Sequence, residues 1–199
     1  MKKRIKKMRD LMENENINAL LISKDVNRFY LSGFTGSSGL ILFTPEDNYF
    51  ITDFRYTEQA GEQTEGYKII EVNRNIPEKI NEILKDDNVE ELAFESTSVS
   101  YDKFKEYDKK FENINLVATK ELVKKLRIIK EEKEIEKIKK AVEITDKAFD
   151  HILDFIEEGK TEREIALELE YFMKKHGGQR NAFDFIVASG KRSSMPHGV

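Results

Sequence analysis

LILFTPEDNYFIT, residues 40 to 52, decides the fold. Two apolar runs, Leu40 to Thr44 and Tyr49 to Thr52, flank Pro45-Glu46-Asp47-Asn48. Proline presets the φ of a turn, and Asp and Asn bond their own backbone there, so the chain reverses and the two runs pair as a hairpin. A hairpin is antiparallel. It therefore makes mixed any sheet whose other strands are joined through helices.

Upstream, Ile17 to Ser23 (INALLIS) reads as a buried strand. It follows a helix whose Ile5, Met8, Leu11 and Met12 share one face. That face accounts for the basic start, Met1 to Arg9, more simply than an anion-binding arm does, because the lysines then point to water. Asp25 to Leu31 leads into Ser32 to Gly39, a loop of small residues. Downstream, Tyr67 to Val72 is a further strand, and Ile76 to Lys85 is a helix with Pro77 in its first turn. Leu92 to Glu95 and Asn115 to Ala118 are short strands. Between them, Phe104, Tyr107 and Phe111 recur at helical spacing within Ser100 to Phe111. Alternation of this kind through about residue 120 predicts an α/β domain with a mixed sheet.

The pattern changes between Glu121 and Lys130, and the expected domains are residues 1–122 and 123–199. Glu131 to Glu158 reads as one long helix, with Ile135, Ile138, Val142, Thr145, Phe149, Ile152 and Phe155 as its apolar stripe. Gly159 is placed to end it. Thr161-Glu162-Arg163-Glu164 is a capping box, in which hydroxyl and carboxylate satisfy each other's orphan amides. The helix it opens turns Ile165, Leu169, Phe172 and Met173 inward and stops at Gly177-Gly178. Phe183 to Ala188 then reads as a strand. The Lys/Glu-rich stretch from Lys124 to Lys140 is a solvated helical face.

The 199 residues are 39% hydrophobic and 36% charged, with a net charge of −4, so a core and a densely charged surface coexist. Near-balanced charge argues against nucleic acid as a partner, since phosphate binding needs a concentrated positive field. The absence of cysteine excludes disulfides, thiolate nucleophiles and Cys-type zinc sites. The basic start is followed by Asp10-Leu11-Met12-Glu13 rather than an apolar run, and no stretch has the length of a membrane span. A cytoplasmic location and no membrane partner are expected.

Of the 3 histidines, His151 lies between stripe positions of the long helix and His176 at a helix end, where an imidazolium suits the dipole. Both read as structural, because neither has a metal-ligand companion at usable spacing. His197 lies in Ala188-Ser189-Gly190-Lys191-Arg192-Ser193-Ser194-Met195-Pro196-His197-Gly198, a loop leaving a strand. Such loops are where catalytic side chains are displayed. Pro196 restricts the backbone before the imidazole and Gly198 leaves room beside it. Gly33 to Gly39 lacks the Lys-Ser/Thr ending of a phosphate loop and reads as a hairpin-edge loop. Asp53 and Arg55 read as a local ion pair or a helix cap. No metal site and no serine nucleophile assemble from local patterns.

Taken together, Phe29 to Ser37 and Thr52-Asp53-Phe54-Arg55-Tyr56-Thr57-Glu58-Gln59-Ala60 resemble the N-terminal domain shared by creatinase, prolidase and aminopeptidase P. Leu126 to Lys130, Gly159 to Glu164, Phe185 to Gly190 and Pro196-His197-Gly198 resemble the opening of the pita-bread catalytic domain. Ser194-Met195 stands where many members of that family have Ala-Leu. The resemblance implies a creatinase-type mixed-sheet domain followed by an incomplete α+β pita-bread domain. It also implies an Xaa-Pro aminopeptidase or dipeptidase as the parent protein. His197 would line the active site and hydrogen-bond substrate or the tetrahedral intermediate. Two divalent ions, manganese or cobalt, would be held by two Asp, one His and two Glu, all beyond the Pro-His-Gly loop. The chain itself is therefore expected to hold no catalytic metal pair and no other cofactor, and to hydrolyse nothing appreciably. A homodimer acting on proline-containing peptides is the implied assembly. Two other functions compete: a metal-free creatinase-type amidinohydrolase with His197 as general base, and a non-catalytic pita-bread module that binds peptides.

Overall fold

In the computed structural model, which describes residues 1–111 and 113–198, alternating strand residues sort onto the two faces of one sheet. The first unit, Met1–Ile129, runs α1 (Lys2–Asn14), β1 (Leu20–Ile22), α2 (Asp25–Ser32), β2 (Leu40–Phe43), β3 (Asn48–Thr52), α3 (Thr57–Gln63), β4 (Lys68–Glu71), α4 (Ile76–Asp86), β5 (Glu91–Glu95), α5 (Tyr101–Lys110), β6 (Asn115–Thr119) and α6 (Leu122–Ile128). The sheet order is β4-β3-β2-β1-β5-β6. β1, β2 and β3 pair antiparallel, while β4, β5 and β6 join in parallel through helices. The expected mixed sheet is present.

The hairpin at 40–52 supplies the register. Leu42 pairs with Tyr49 and Ile41 with Phe50. Leu20, Ile22, Ile41, Phe43 and Phe50 point to one side, where Ile5, Met8 and Met12 of α1 and Leu31 of α2 cover them. Leu21, Leu42, Tyr49 and Ile51 point to the other, against Ile80, Ile83 and Leu84 of α4 and Tyr107 of α5. A slip of one residue would exchange the two sets, so both packed faces specify the same register. Arg9 of α1 fixes the turn by donating to the Asp47 carbonyl at 2.7 Å and to the Asn48 side chain at 3.0 Å.

Asp25 to Leu31, expected only to lead into a loop, forms α2. Gly33 ends it with φ 80, a left-handed position that glycine adopts without strain, and its N–H reaches the Phe29 carbonyl at 2.8 Å. At the other end, the buried Glu95 carboxylate accepts the N–H groups of Ser23 and Lys24, each at 2.8 Å, and the Asn27 amide. Arg127 of α6 donates to the other side of Asn27 at 3.0 Å. Helix α6 runs past the expected limit at 122, yet it belongs by packing to the first unit, because Leu122 and Val123 are buried in that unit's core.

The second unit, Lys130–Val199, contains α7 (Glu132–Phe155), α8 (Glu162–Lys175) and two short 3-10 turns, Gly190–Ser194 and Pro196–Gly198. Capping boxes start both helices, Glu131 with Glu134 and Thr161 with Glu164. The stripe of α7 is buried over part of its length: Ile152 and the intervening Ala148 are buried, whereas Ile138 is 50% and Phe149 60% exposed. One expectation is corrected here: the strand expected at 183–188 does not form. A strand exists by pairing, and the described residues of this unit place no neighbour beside it.

Candidate functional site

The Pro-His-Gly turn closes a short path that starts at α8. After Gly177 and Gly178 the chain runs back past Ile186 and Ala188 and enters the 3-10 turn at Gly190–Ser194. Successive backbone bonds tighten it: Arg192 N–H to the Ser189 carbonyl at 3.2 Å, Met195 N–H to that of Arg192 at 3.0 Å, and Gly198 N–H to that of Met195 at 3.0 Å. The hydroxyls of Ser193 and Ser194 donate to the Gly190 and Lys191 carbonyls, both at 2.8 Å.

His197 then takes φ 58 and ψ 8, the left-handed region, with its side chain exposed. A non-glycine residue holds that conformation only where its surroundings over-determine it. Gly198 follows with φ +66 and is buried. A Cβ there would lie 3.1 Å from Ala188 Cβ and 3.9 Å from Ile186 Cγ2, so glycine lets the turn settle onto the segment beneath it. The exposed imidazole thus stands between a proline and a buried glycine.

Charge fixes the turn at both ends. Glu162, in the first turn of α8, accepts the Ser189 N–H at 2.8 Å through Oε1 and meets Arg192 Nη1 at 3.0 Å through Oε2. Arg192 Nε donates to the Gly198 carbonyl at 3.0 Å, and Nη2 bonds the same oxygen. Sequence reasoning singled out His197 and missed Arg192 and Glu162. Glu162 was legible only as an acid in a helix's first turn, and the loop it holds is remote in sequence.

The other histidines have structural partners. His151 Nε2 bonds Glu168 Oε1 at 2.7 Å across α7 and α8, and its ring stacks on Phe172 at 4.3 Å. His176 Nδ1 bonds the Phe172 carbonyl at 2.8 Å and stacks on the same ring at 4.0 Å. In the first unit, Arg55 and Asp53 form the expected ion pair, two-pronged at 2.8 and 2.9 Å, and the Arg55 guanidinium holds the Asp53 carboxyl well below the usual carboxylate range. The loop from Gly33 to Gly39 is tied inward rather than open to phosphate. Buried Arg28 donates to the Gly36 and Gly39 carbonyls, both at 2.8 Å. Among the described residues no three His, Asp or Glu side chains gather closely enough to hold a metal ion, so the donor set described here does not fit a metal centre.

The comparisons give this mixed-sheet domain its family: the chain belongs to the creatinase/prolidase family, whose N-terminal domain matches residues 4–129. Residues 136–199 match metallopeptidase family M24, and that family's name implies divalent metal in its complete members. An Xaa-Pro dipeptidase of Pyrococcus furiosus is 39% identical over 100% of this chain and 56% of its own length. The structure of an Xaa-Pro dipeptidase from Bacillus anthracis superposes with a TM-score of 0.92 at 38% identity, covering 99% of this chain and 55% of that one. An X-Pro aminopeptidase from Thermotoga maritima gives a TM-score of 0.83 at 39% identity, over 92% and 53%. The chain thus spans little more than half the length of these relatives.

Proposed function

We propose that this chain forms part of an Xaa-Pro peptidase, an aminopeptidase or dipeptidase that hydrolyses the peptide bond before proline. The observation that carries the reading is His197, exposed on a turn held in the left-handed region at φ 58 by its neighbours. Hydrolysis places negative charge on the scissile carbonyl oxygen. An imidazole N–H aimed at that oxygen stabilises the charge most where water is excluded and the donor is already in place. Imidazole suits the role because it holds or gives a proton near neutral pH. His197 is thus the proposed catalytic donor. The proposal extends to two divalent ions of the manganese or cobalt kind, held by residues other than those described here, to a homodimer and to a cytoplasmic setting. The match of residues 136–199 to a metallopeptidase family supports the metal part of this reading.

The test is His197→Ala in the protein carrying this chain at the full length of its relatives. Turnover of an Xaa-Pro peptide should fall by about two to three orders of magnitude, the range for loss of one such donor. Bound metal should be unchanged. Undiminished turnover removes His197 from the mechanism, and turnover lost together with metal makes it a ligand instead. Creatine hydrolysis that survives chelation would replace the peptidase reading altogether.

A further inference from the structure

We propose that Arg192 and Glu162 are a positioning pair for His197, setting where the imidazole stands without touching substrate themselves. This rests on the reading of His197 as the donor to the carbonyl oxygen. The pair links three places that local sequence does not connect: the first turn of α8, the start of the loop at Ser189, and the carbonyl immediately after His197 at Gly198. One carboxylate uses both oxygens, and one guanidinium uses Nε, Nη1 and Nη2.

The division of these bonds is what carries the inference. The Arg192 side chain is 56% exposed and that of Glu162 24%, and an ion pair so open to water adds little to stability. Its consequence is geometric. His197 holds a backbone conformation that a side-chain-bearing residue leaves when its surroundings loosen, and the bonds of Arg192 fall on the next carbonyl along. Only a planar fork of fixed shape reaches the carboxylate and that carbonyl at once. A lysine would supply the charge but not both directions. The helix supplies the fixed point: Glu162 sits in the first turn of α8, directly after Thr161, whose hydroxyl and Glu164 fix that end. The imidazole is therefore referenced to α8 through two side chains and one carbonyl.

Backbone resonances of the 199-residue chain test the geometry. In Arg192→Lys and Arg192→Ala the His197 and Gly198 shifts should move toward random-coil values, while those of His151 and His176 stay in place. Shifts at 197 and 198 that do not move would overturn the proposal, whatever His197 does in catalysis. Activity of the full-length protein gives the second arm. Arg192→Lys should lower kcat about tenfold to a hundredfold, the effect of misplacing a reacting group by about an ångström, with KM and metal content unchanged. Combined with His197→Ala, Arg192→Ala should slow turnover no further. An additional loss in that double variant would show that Arg192 acts by another route and would sink the proposal. If His197→Ala alone leaves turnover intact, the donor role of His197 fails separately, and the resonances still decide whether the pair sets the turn.

Discussion

His197 and Gly198 stand side by side with φ of 58 and 66, and only one of them is glycine. Strain of this kind costs about 1–3 kcal/mol per residue and is kept where the fold around it insists. At Gly198 two effects act together: the left-handed backbone, and the 3.1 Å that would separate a new Cβ from that of Ala188. Gly198→Ala should therefore destabilise the second unit by about 1–3 kcal/mol, read from urea unfolding followed by circular dichroism. A change of less than a few tenths would mean that the turn is looser than its bonds imply. The sequence showed the histidine and the room beside it, because Pro and Gly announce themselves. It did not show Arg192 reaching past His197 to the Gly198 carbonyl, since nothing in Lys191-Arg192-Ser193 marks one cation as bound and the other as free.

Helix α2 shows how an element escapes local reading. Its stop signal, Gly33, is in the sequence, but its start is satisfied from 72 residues away by Glu95. Glu95→Ala would leave the part-buried N–H groups of Ser23 and Lys24 and the buried Asn27 amide without their carboxylate acceptor. The expected loss is about 2–3 kcal/mol, near the desolvation penalty of unsatisfied groups, measured as a lower urea midpoint at unchanged slope. By contrast the start of α8 was legible, because a capping box is written within four consecutive residues. Thr161→Ala should cost about 1 kcal/mol of stability. The backbone N–H of Thr161, then its hydroxyl, hold the Glu164 carboxyl below its ordinary value of 4.5. A carboxyl whose folded value is depressed stabilises above its unfolded value, and that contribution is lost as pH falls through the folded one. The helical signal of α8 should thus weaken below about pH 4.5, and in Glu164→Gln that part of the acid dependence should vanish. The segment at 183–188 is the opposite case. An apolar run announces that it is extended but not whether a neighbour will pair with it.

At the scale of the whole chain, the two units differ in how far they satisfy themselves. The first buries both faces of its sheet under helices. In the second, Val142, Phe149 and Leu153 of α7 and Leu167 and Tyr171 of α8 remain more than half exposed. Apolar surface of that extent promotes association. The chain should sediment as a dimer or a larger assembly at high concentration, and a clean monomer there contradicts this. Among the described residues no helix is long and apolar enough to cross a membrane. The central claim concerns the bond that the complete protein cleaves. Its most direct test is the ratio of kcat/KM for an Xaa-Pro peptide to that for the same peptide with alanine in place of proline. The account predicts a ratio above about 10², with the larger value falling on His197→Ala. A ratio near one, or no cleavage of the proline peptide by the metal-loaded protein, would contradict it.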